Sequence, residues 1–281
     1  IGIITNIGEA HIENFKNIDG IAKAKAEIID TIKESGTIII NRDDNFFKYL
    51  YKKAKLKKLR VVTFGKNKKA DIFPLRVIKG KILTKFLIQV MNEKIDIEFE
   101  NINIYNVLAS LAVIKELNLS LDKIKKKFRN IQPTEGRGKT HIISRYDKKF
   151  KLIDESYNAN PQSVKNAINS FDAIKKEKFK KYLILGDMLE LGHKSNKYHK
   201  NLSKVINNSD IDKVFIKGEK TLFTYKNLHK SKQGNILQNK DDIDLVLSYV
   251  IKNNDYLMIK GSNATGLNNL SKNMIKGLNV I

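Results

Sequence analysis

The sequence predicts an α/β fold in two domains, and three observations support that prediction. Short apolar runs with the length of buried strands alternate with helical segments along most of the chain. The chain has 281 residues, which is enough for two ordinary domains that each bury a core. The segment 131–136, IQPTEG, interrupts the alternation and has the composition of a linker. We therefore place a domain boundary near residue 135, between a domain at 1–135 and one at 136–281.

The first domain combines buried strands with a β-rich segment of alternating polar and apolar residues. Such alternation is typical of strands with one solvated face. We predict strands at 1–7, 37–41 and 60–64, further strands within 70–99, and helices near 17–34, 43–55, 103–117 and 120–129.

The second domain shows a more regular alternation of strands and helices. This pattern predicts a parallel sheet with helices on both faces. Ligands of such sheets bind at the carboxyl ends of the strands, so polar residues that follow strands are the candidates for function. We predict a helix from Pro161 and strands near 139–146, 149–154, 181–186, 213–216, 235–238 and 255–260.

The composition excludes several classes of protein. The formal net charge is +23, but 47 of the 53 basic residues are Lys and they are spread along the chain, whereas nucleic-acid binders concentrate Arg and aromatic residues. The absence of Cys excludes disulfides and thiolate metal sites. No apolar run reaches the roughly 18 residues of a membrane span. We expect a cytoplasmic protein that binds neither nucleic acid nor membrane. Because the chain opens with Ile inside an apolar run, we expect a piece of a longer protein.

Two residues of the first domain are candidates for metal chemistry. His11 follows the first strand in a loop, where the residues alone favour an ordinary loop histidine over a functional one. Lys25 lies at helical spacing within an apolar face, where it either extends to solvent or serves as a neutral amine with a lowered pKa. That face is predicted to contain Ile18, Ile21, Ile28 and Ile32.

Two asparagines lie near the start of the third predicted helix. Asn103 fits a helix N-cap, whereas the amide of Asn106 has no structural need there. An amide can hydrogen-bond a planar base, so Asn106 is a candidate nucleotide contact.

Three strand ends of the second domain carry polar residues. Asp154, Glu155, Tyr157 and Asn158 follow one strand, and Asn160 comes just before Pro161, where it also fits an N-cap. Asp187 and Glu190 follow a second strand. The last strand ends in Lys260-Gly261-Ser262, whose amine and amides could hold an anion.

The segment Gly136-Arg137-Gly138-Lys139-Thr140 contains GKT but is not a phosphate-binding P-loop. The full motif needs Gly where this chain has Pro133, and it leads into a helix, whereas this segment leads into a strand.

Taken together and in order, seven segments resemble the Mur ligases, and among them the branch that adds D-alanyl-D-alanine. The resemblance covers nearly the whole chain. The motifs SYNANP and LGDMLELG are specific to this branch, because other Mur ligases and folylpolyglutamate synthases have different sequences at those positions. The segments are TNIGEAHIENF (5–15), GIAKAKAEI (20–28), NIYNVLASLAV (103–113), EGR (135–137), DESYNANP (154–161), LGDMLELG (185–192) and KGS (260–262).

The resemblance implies a fold and an architecture. This chain looks like the latter part of a P-loop-type central ATPase domain, followed by a complete Rossmann-like C-terminal domain. It lacks the family's UDP-binding domain, the P-loop and the upstream Glu that holds the first magnesium. We therefore expect the chain as given not to turn over.

The resemblance also implies a reaction and roles for residues. With ATP, the family converts the carboxylate of UDP-N-acetylmuramoyl-tripeptide into an acyl phosphate, which the amine of D-alanyl-D-alanine attacks. His11 and a carbamylated Lys25 would bind Mg²⁺. Asn106, with Asn103, would meet adenine. Arg137 would reach the phosphates, and Asp154 or Glu155 the ribose.

The D-alanyl-D-alanine pocket would be formed by Tyr157, Asn158, Asn160 and the Asp187–Glu190 loop. At two positions, this sequence differs from the residue that is common in the family. Glu155 stands where the family often has Asp, which puts the ribose contact in doubt. Asn263 stands where it often has Arg, so another cation, Lys260, would have to hold the dipeptide carboxylate.

Other functions remain open at this point. A related ligase with a different amino-acid substrate is one, and a non-catalytic nucleotide-binding module is another. Nucleic-acid binding comes last, because only the net charge supports it. We expect a monomer.

Overall fold

The computed structural model describes residues 1–9, 12–80, 83–99 and 103–277. The chain forms two compact units, one of Ile1–Gly8 with Phe15–Gln132 and one of Glu9–Asn14 with Pro133–Ile281. The main separation lies between Gln132 and Pro133, whereas the domain bounds of 1–135 and 136–281 stay a prediction. Each unit contains one mixed sheet with helices packed on it, which confirms the predicted α/β fold class.

The first unit contains a six-stranded sheet in the order β1-β2-β3-β4-β5-β6. Strands β1 to β4 are parallel to their neighbours, and β4 to β6 form an antiparallel meander. The elements are β1 (Gly2–Ile4), α1 (Ile18–Thr31), β2 (Thr37–Asn41), α2 (Phe47–Leu56), β3 (Arg60–Phe64), β4 (Ile72–Lys79), β5 (Thr84–Val90), β6 (Glu93–Phe99), α3 (Ile104–Glu116) and α4 (Leu121–Phe128).

The core of the first unit lies between the sheet and α3. Phe64, Ile88, Leu108 and Leu111 are fully buried there. Burial of each such side chain contributes roughly 1.5–3 kcal/mol. The core therefore fixes α3, and with it the residues at its N-terminus.

Helix α1 differs from its predicted apolar face. Ile21, Ala22, Ala26 and Ile29 are the buried residues, and Ile28, predicted to face the core, is 38% exposed. The prediction for Ile28 was wrong because it was based on the large residues alone. The two small alanines shift the contact face of the helix.

The second unit contains a six-stranded sheet in the order β11-β10-β9-β12-β8-β7. Its elements are β7 (Lys139–Arg145), β8 (Lys148–Glu155), α5 (Pro161–Asp172), β9 (Lys181–Gly186), α6 (Ser195–Asn207), β10 (Lys213–Lys217), α7 (Thr221–Tyr225), β11 (Gln233–Ile236), α8 (Lys240–Leu245), a π-helical turn (Val246–Val250), β12 (Tyr256–Lys260) and α9 (Leu267–Ile275).

Every strand pair of this sheet is parallel, as predicted, except β7–β8 at one edge. β7 pairs with β8 antiparallel through the two-residue turn Tyr146-Asp147. Both turn residues are left-handed, with φ of 50° and 54°. A two-residue connection reverses the chain direction, and positive φ at both positions matches the right-handed twist of the strands. The turn is the reason that this edge is not parallel.

Both faces of the second sheet are covered, as predicted for a parallel α/β sheet. Along β9, Tyr182 and Ile184 enter one apolar cluster, whereas Leu183 and Leu185 enter the other. This period-two alternation between two cores holds the strand ends in fixed positions.

Among the helices of the described residues, none has the length and apolar character needed to cross a membrane.

Candidate functional site

Polar residues gather at strand ends in both units. We call Asn6, Lys25, Asn41 and Asp44 the first polar cluster. The second polar cluster is made by three loops of the other unit, which follow β8 (residues 156–160), β9 (187–190) and β12 (261–263). It also includes the last residues of β8 and β12, and Arg137, which precedes β7 and packs on Tyr157. The strands β9, β12 and β8 are neighbours, so their carboxyl ends share one edge of the sheet.

Lys25 is the basic residue of the first polar cluster. Its side chain is exposed overall, and its Nζ donates a hydrogen bond to the backbone oxygen of Asn6 at 2.9 Å. Burial lowers the pKa of the Lys25 amine, and the charge of Asp44 opposes this effect. A lowered pKa increases the neutral fraction of the amine, which is the form that reacts.

Two residues that the sequence did not single out hold the loop beside Lys25. The Asn41 side-chain amide donates to the Thr5 oxygen at 3.1 Å, and the Asp44 carboxylate accepts from the Ile7 amide at 2.6 Å. Both residues come at or after the end of β2, the neighbour of β1. Applying the strand-end criterion to β2 would have found them.

These residues fit a magnesium ion only in one chemical form. A protonated amine repels a cation, whereas a carbamate on Lys25 would be an oxygen anion beside the Asn6 carbonyl, and magnesium prefers oxygen ligands. The lowered pKa favours the neutral amine that carbamylation requires. The other predicted ligand, His11, lies outside the described residues.

The two candidate adenine contacts differ in what they do. Asn103 caps α3, because its side-chain oxygen accepts from the Tyr105 amide at 3.0 Å. Asn106 is exposed one turn into the helix. The role of both asparagines toward adenine stays a prediction.

Tyr105, which the sequence analysis passed over, lies between these two asparagines. Its hydroxyl donates to Asp43 at 3.1 Å, and the Lys66 amine lies 5.2 Å from its ring centroid. Burial and the Asp43 carboxylate raise the pKa of Tyr105 to about 12, so the hydroxyl stays protonated. No sequence signal distinguished this aromatic residue from the core residues around it.

Asp154, in the second polar cluster, is bonded within the protein. It is 2% exposed, and its carboxylate accepts from the Gly136 amide at 2.8 Å and from the Ser156 hydroxyl at 2.6 Å. The neighbouring Glu155 keeps a quarter of its side chain exposed. Of the two acids predicted to meet ribose, Glu155 is therefore the more accessible, and the contact itself stays a prediction.

Lys260 joins the loop after β8 to the end of β12. Its amine donates to the Asn158 oxygen at 2.7 Å and to both the backbone and side-chain oxygens of Glu155 at 3.3 Å. Burial lowers the pKa of Lys260, and Glu155 opposes this effect. The amine is therefore engaged inside the unit, and its predicted role toward the dipeptide carboxylate stays a prediction.

Arg137 and Tyr157 form the exposed part of the second polar cluster. The Arg137 guanidinium carbon lies 4.4 Å from the Tyr157 ring centroid, and Tyr157 is 48% exposed. Gly136 permits this approach, because a Cβ there would lie 2.8 Å from the Tyr157 Cβ. Its φ of +74° also favours glycine. Arg137 and Tyr157 therefore offer a cation and an aromatic face to solvent.

The loop after β9 is buried at its start, at Asp187, and exposed at its end. The Asp187 carboxylate accepts from the Thr221 amide at 2.8 Å and from the Lys220 amide at 3.2 Å. Leu189 and Glu190 are exposed, and Glu190 is left-handed with φ 60°. Asn160 caps α5 in a reciprocal capping box with Ser163.

One further group in the described residues has ligand-type side chains, namely Glu135, His141 and Asp154. Glu135 pairs with Lys139 at 2.5 Å, and both oxygens of Asp154 already accept hydrogen bonds. The His141 Nε2 lies 3.1 Å from the Glu135 carboxylate, and this buried nitrogen makes no hydrogen bond to the described residues.

Two family models match this chain. Residues 1–114 match the Mur ligase middle domain, and residues 139–263 match the glutamate ligase domain of Mur ligases. The chain therefore carries the middle and C-terminal domains of the Mur ligases, a family of ATP-dependent acid–amino-acid ligases of peptidoglycan synthesis.

Within that family, the chain is similar to D-alanyl-D-alanine-adding enzymes. It is 28% identical over 279 residues to UDP-N-acetylmuramoyl-tripeptide–D-alanyl-D-alanine ligase of Bacillus subtilis, covering 98% of this chain and 59% of that protein. The chain thus spans about six tenths of the length of the curated relatives that it matches.

Two solved structures share the fold. MurF from Acinetobacter baumannii superposes with a TM-score of 0.82 at 23% identity, over 98% of this chain and 59% of that one. MurF from Thermotoga maritima, solved in complex with ADP, gives a TM-score of 0.80 at 21% identity, over 98% and 61%.

Proposed function

We propose that this chain is the middle and C-terminal part of a cytoplasmic, monomeric ligase. The enzyme would use ATP and Mg²⁺ to join D-alanyl-D-alanine to UDP-N-acetylmuramoyl-tripeptide. The observation that carries the proposal is the meeting of three loops at one sheet edge. Two of them, 154–160 and 187–190, contain the segments that distinguish this branch from other Mur ligases, and Lys260 and Ser262 link them.

The reaction has two steps, and its atoms balance without a further reactant. The tripeptide carboxylate attacks the terminal phosphorus of ATP, giving an acyl phosphate and ADP. The amine of D-alanyl-D-alanine then attacks the acyl carbon, loses a proton and expels phosphate. Phosphoryl transfer of this kind needs positioned charges more than covalent help from the protein.

The first polar cluster would serve the phosphoryl-transfer step. Magnesium, held by His11 and a carbamylated Lys25, would neutralise the negative charge of the phosphates. Asn41 and Asp44 hold the backbone of residues 5–7, and therefore the carbonyl that the Lys25 amine contacts. Asn106 would meet the adenine edge.

The second polar cluster would bind the incoming amine and part of the nucleotide. Arg137 is an exposed cation suited to phosphate, and Glu155 is a partly exposed acid suited to a ribose hydroxyl. Tyr157, Asn158, Leu189 and Glu190 are the exposed residues from which a dipeptide pocket would be built. The buried residues Asp154, Asp187 and Lys260 would hold these loops in place.

The test begins with the locus upstream of Ile1. An in-frame P-loop of the form GTxGKT, preceded by a further domain, supports the proposal. A start codon near Ile1 would contradict it and favour a nucleotide-binding module.

The full-length gene product is then assayed for phosphate release with UDP-N-acetylmuramoyl-tripeptide. We expect release to depend on D-alanyl-D-alanine and not on D-alanine, L-lysine or glutamate as the amine. Release with glutamate or lysine alone would assign the chain to a ligase of the same family with another amino-acid substrate.

A further inference from the structure

His199 is a buried histidine for which the proposed reaction has no role. It lies in α6 and is 0% exposed. Its Nδ1 lies 2.8 Å from the Ser195 backbone oxygen, and its Nε2 accepts a hydrogen bond from the Met188 amide at 3.0 Å. Because a carbonyl oxygen can only accept, the partners assign the proton to Nδ1 and the lone pair to Nε2.

The Met188 amide belongs to the loop that follows β9. Further contacts hold the same loop from other elements, and they include the Lys220 amide on the Asp187 carboxylate and the Glu13 amide on the Glu190 oxygen. The Leu189 amide donates to the Ser262 hydroxyl at 3.0 Å, the Ser262 amide donates to the Asp187 oxygen, and the Thr221 amide donates to the Asp187 carboxylate. His199 is thus the anchor on the α6 side, directly before the exposed residues Leu189 and Glu190.

Burial is the main influence that favours the neutral ring of His199. Burial lowers the pKa of His199, the Ser195 carbonyl and Asp187 raise it, and Lys220 lowers it. From α7, the Thr224 hydroxyl donates to the His199 backbone oxygen and adds no charge. Protonation would place an N–H on Nε2 opposite the Met188 N–H and remove the acceptor.

We propose that His199 is a positioning residue for the amine substrate: its Nε2 holds the Met188 amide and thereby sets the place of Leu189 and Glu190 in the pocket. The inference rests on the proposed function. A buried amide that loses its acceptor is destabilised by roughly 1–3 kcal/mol, so the loop would move to regain a partner.

Two substitutions separate the anchor from simple loss of packing. In His199→Gln, the side-chain oxygen can reach the position of Nε2 and accept from Met188. In His199→Asn, the shorter side chain can replace only Nδ1, the ring atom beside the Ser195 carbonyl, and cannot reach the Met188 amide. His229→Gln is the matched control, since His229 is an exposed histidine of the same unit.

The experiment measures KM for D-alanyl-D-alanine and for ATP in the full-length enzyme, with amide hydrogen exchange at Met188. We expect His199→Asn to raise KM for the dipeptide about tenfold, from the loss of one buried hydrogen bond. KM for ATP should stay within about twofold, and Met188 exchange should become faster. His199→Gln and His229→Gln should stay near wild type on all three measurements.

Two results would overturn the inference. One is an equal rise of both KM values in His199→Asn. The other is unchanged Met188 exchange in that variant, whichever reaction the wild type performs. If the wild type accepts a different amine, the proposed function fails alone, and the same comparison is made with that amine.

Discussion

Lys25 reaches from helix α1 to the loop after β1, and Lys260 is the last residue of β12, so both amines lie near the carboxyl end of a strand, yet their surroundings differ. Burial lowers the pKa of both amines, and an acid beside each opposes the shift. The Lys260 side chain is 3% exposed and bonds to three oxygens of its own unit. The Lys25 side chain is exposed, and its amine contacts one backbone oxygen among the described residues.

The comparison shows that a lowered pKa alone does not identify a reactive lysine. The protonated Lys260 amine has three hydrogens and three acceptors, so its hydrogen-bonding capacity is filled. It therefore links the end of β12 to the loop after β8. The Lys25 amine keeps unused bonding capacity toward solvent, which carbamylation or a ligand requires. Saturation of the amine, rather than its burial, separates the two roles.

The largest expected effect comes from removing the Lys25 amine. In the full-length enzyme, Lys25→Ala should lower kcat by about a hundredfold or more, because the proposed metal ligand, worth several kcal/mol, would be lost. Steady-state kinetics at saturating substrates checks this. Lys23→Ala, an exposed lysine two residues away, is the control and should be neutral. Equal activity of the two variants would show that Lys25 is not a metal ligand.

Lys260→Met should act on stability first. It leaves the Asn158 oxygen and the Glu155 carboxylate without their buried partner. Since Glu155 keeps a quarter of its side chain exposed, we expect the free energy of unfolding of the second unit to fall by about 2–3 kcal/mol. Urea denaturation measures this, with exposed Lys276→Met as control. A stable variant with weak dipeptide binding would instead assign Lys260 to substrate.

Tyr157→Ala tests the exposed half of the second polar cluster. We expect KM for D-alanyl-D-alanine to rise about tenfold and KM for ATP to change less, because the aromatic surface faces solvent rather than the core. Tyr157→Phe keeps the ring beside Arg137 and serves as the control. Equal shifts of both KM values would mean that Tyr157 only supports the loop.

The smallest effect is a pH dependence through His199. Its folded pKa is lowered from the ordinary value of 6.5, so the unfolded chain binds more protons in acid. Stability should therefore decrease as pH falls below about 6.5, with a slope of at most about 1.4 kcal/mol per pH unit. His199→Gln should flatten that part of the stability curve, and thermal melts between pH 5 and 8 measure it. An identical slope in both proteins would refute this assignment.

Much of the fold was predictable because strand signals are local. The strands at 37–41, 60–64 and 181–186 agree with the structure residue for residue, since each short apolar run is bounded by polar residues or glycine. The antiparallel edge was not foreseen, because neither Tyr146 nor Asp147 is the glycine that usually marks such a turn.

The candidate site was predictable in its position and less so in its roles. Strand-end logic located the loops of both clusters. It did not distinguish Asp154 and Asp187, whose carboxylates are bonded inside the protein, from Glu155 and Glu190, which reach solvent. That difference depends on tertiary partners such as Gly136 and Thr221, which are distant in sequence. The burial of His199 beside Met188 depends on tertiary packing in the same way.

Ser262 is bonded to two other loops at once. Its hydroxyl accepts from Leu189 and donates to Ala159, and its amide donates to Asp187. Substitutions on the three loops should therefore be non-additive: a double-mutant cycle between Ser262 and His199 should give an interaction energy well above experimental error. Evolution of a new amine specificity on this sheet edge would consequently require concerted changes in several loops, because no one of them moves independently.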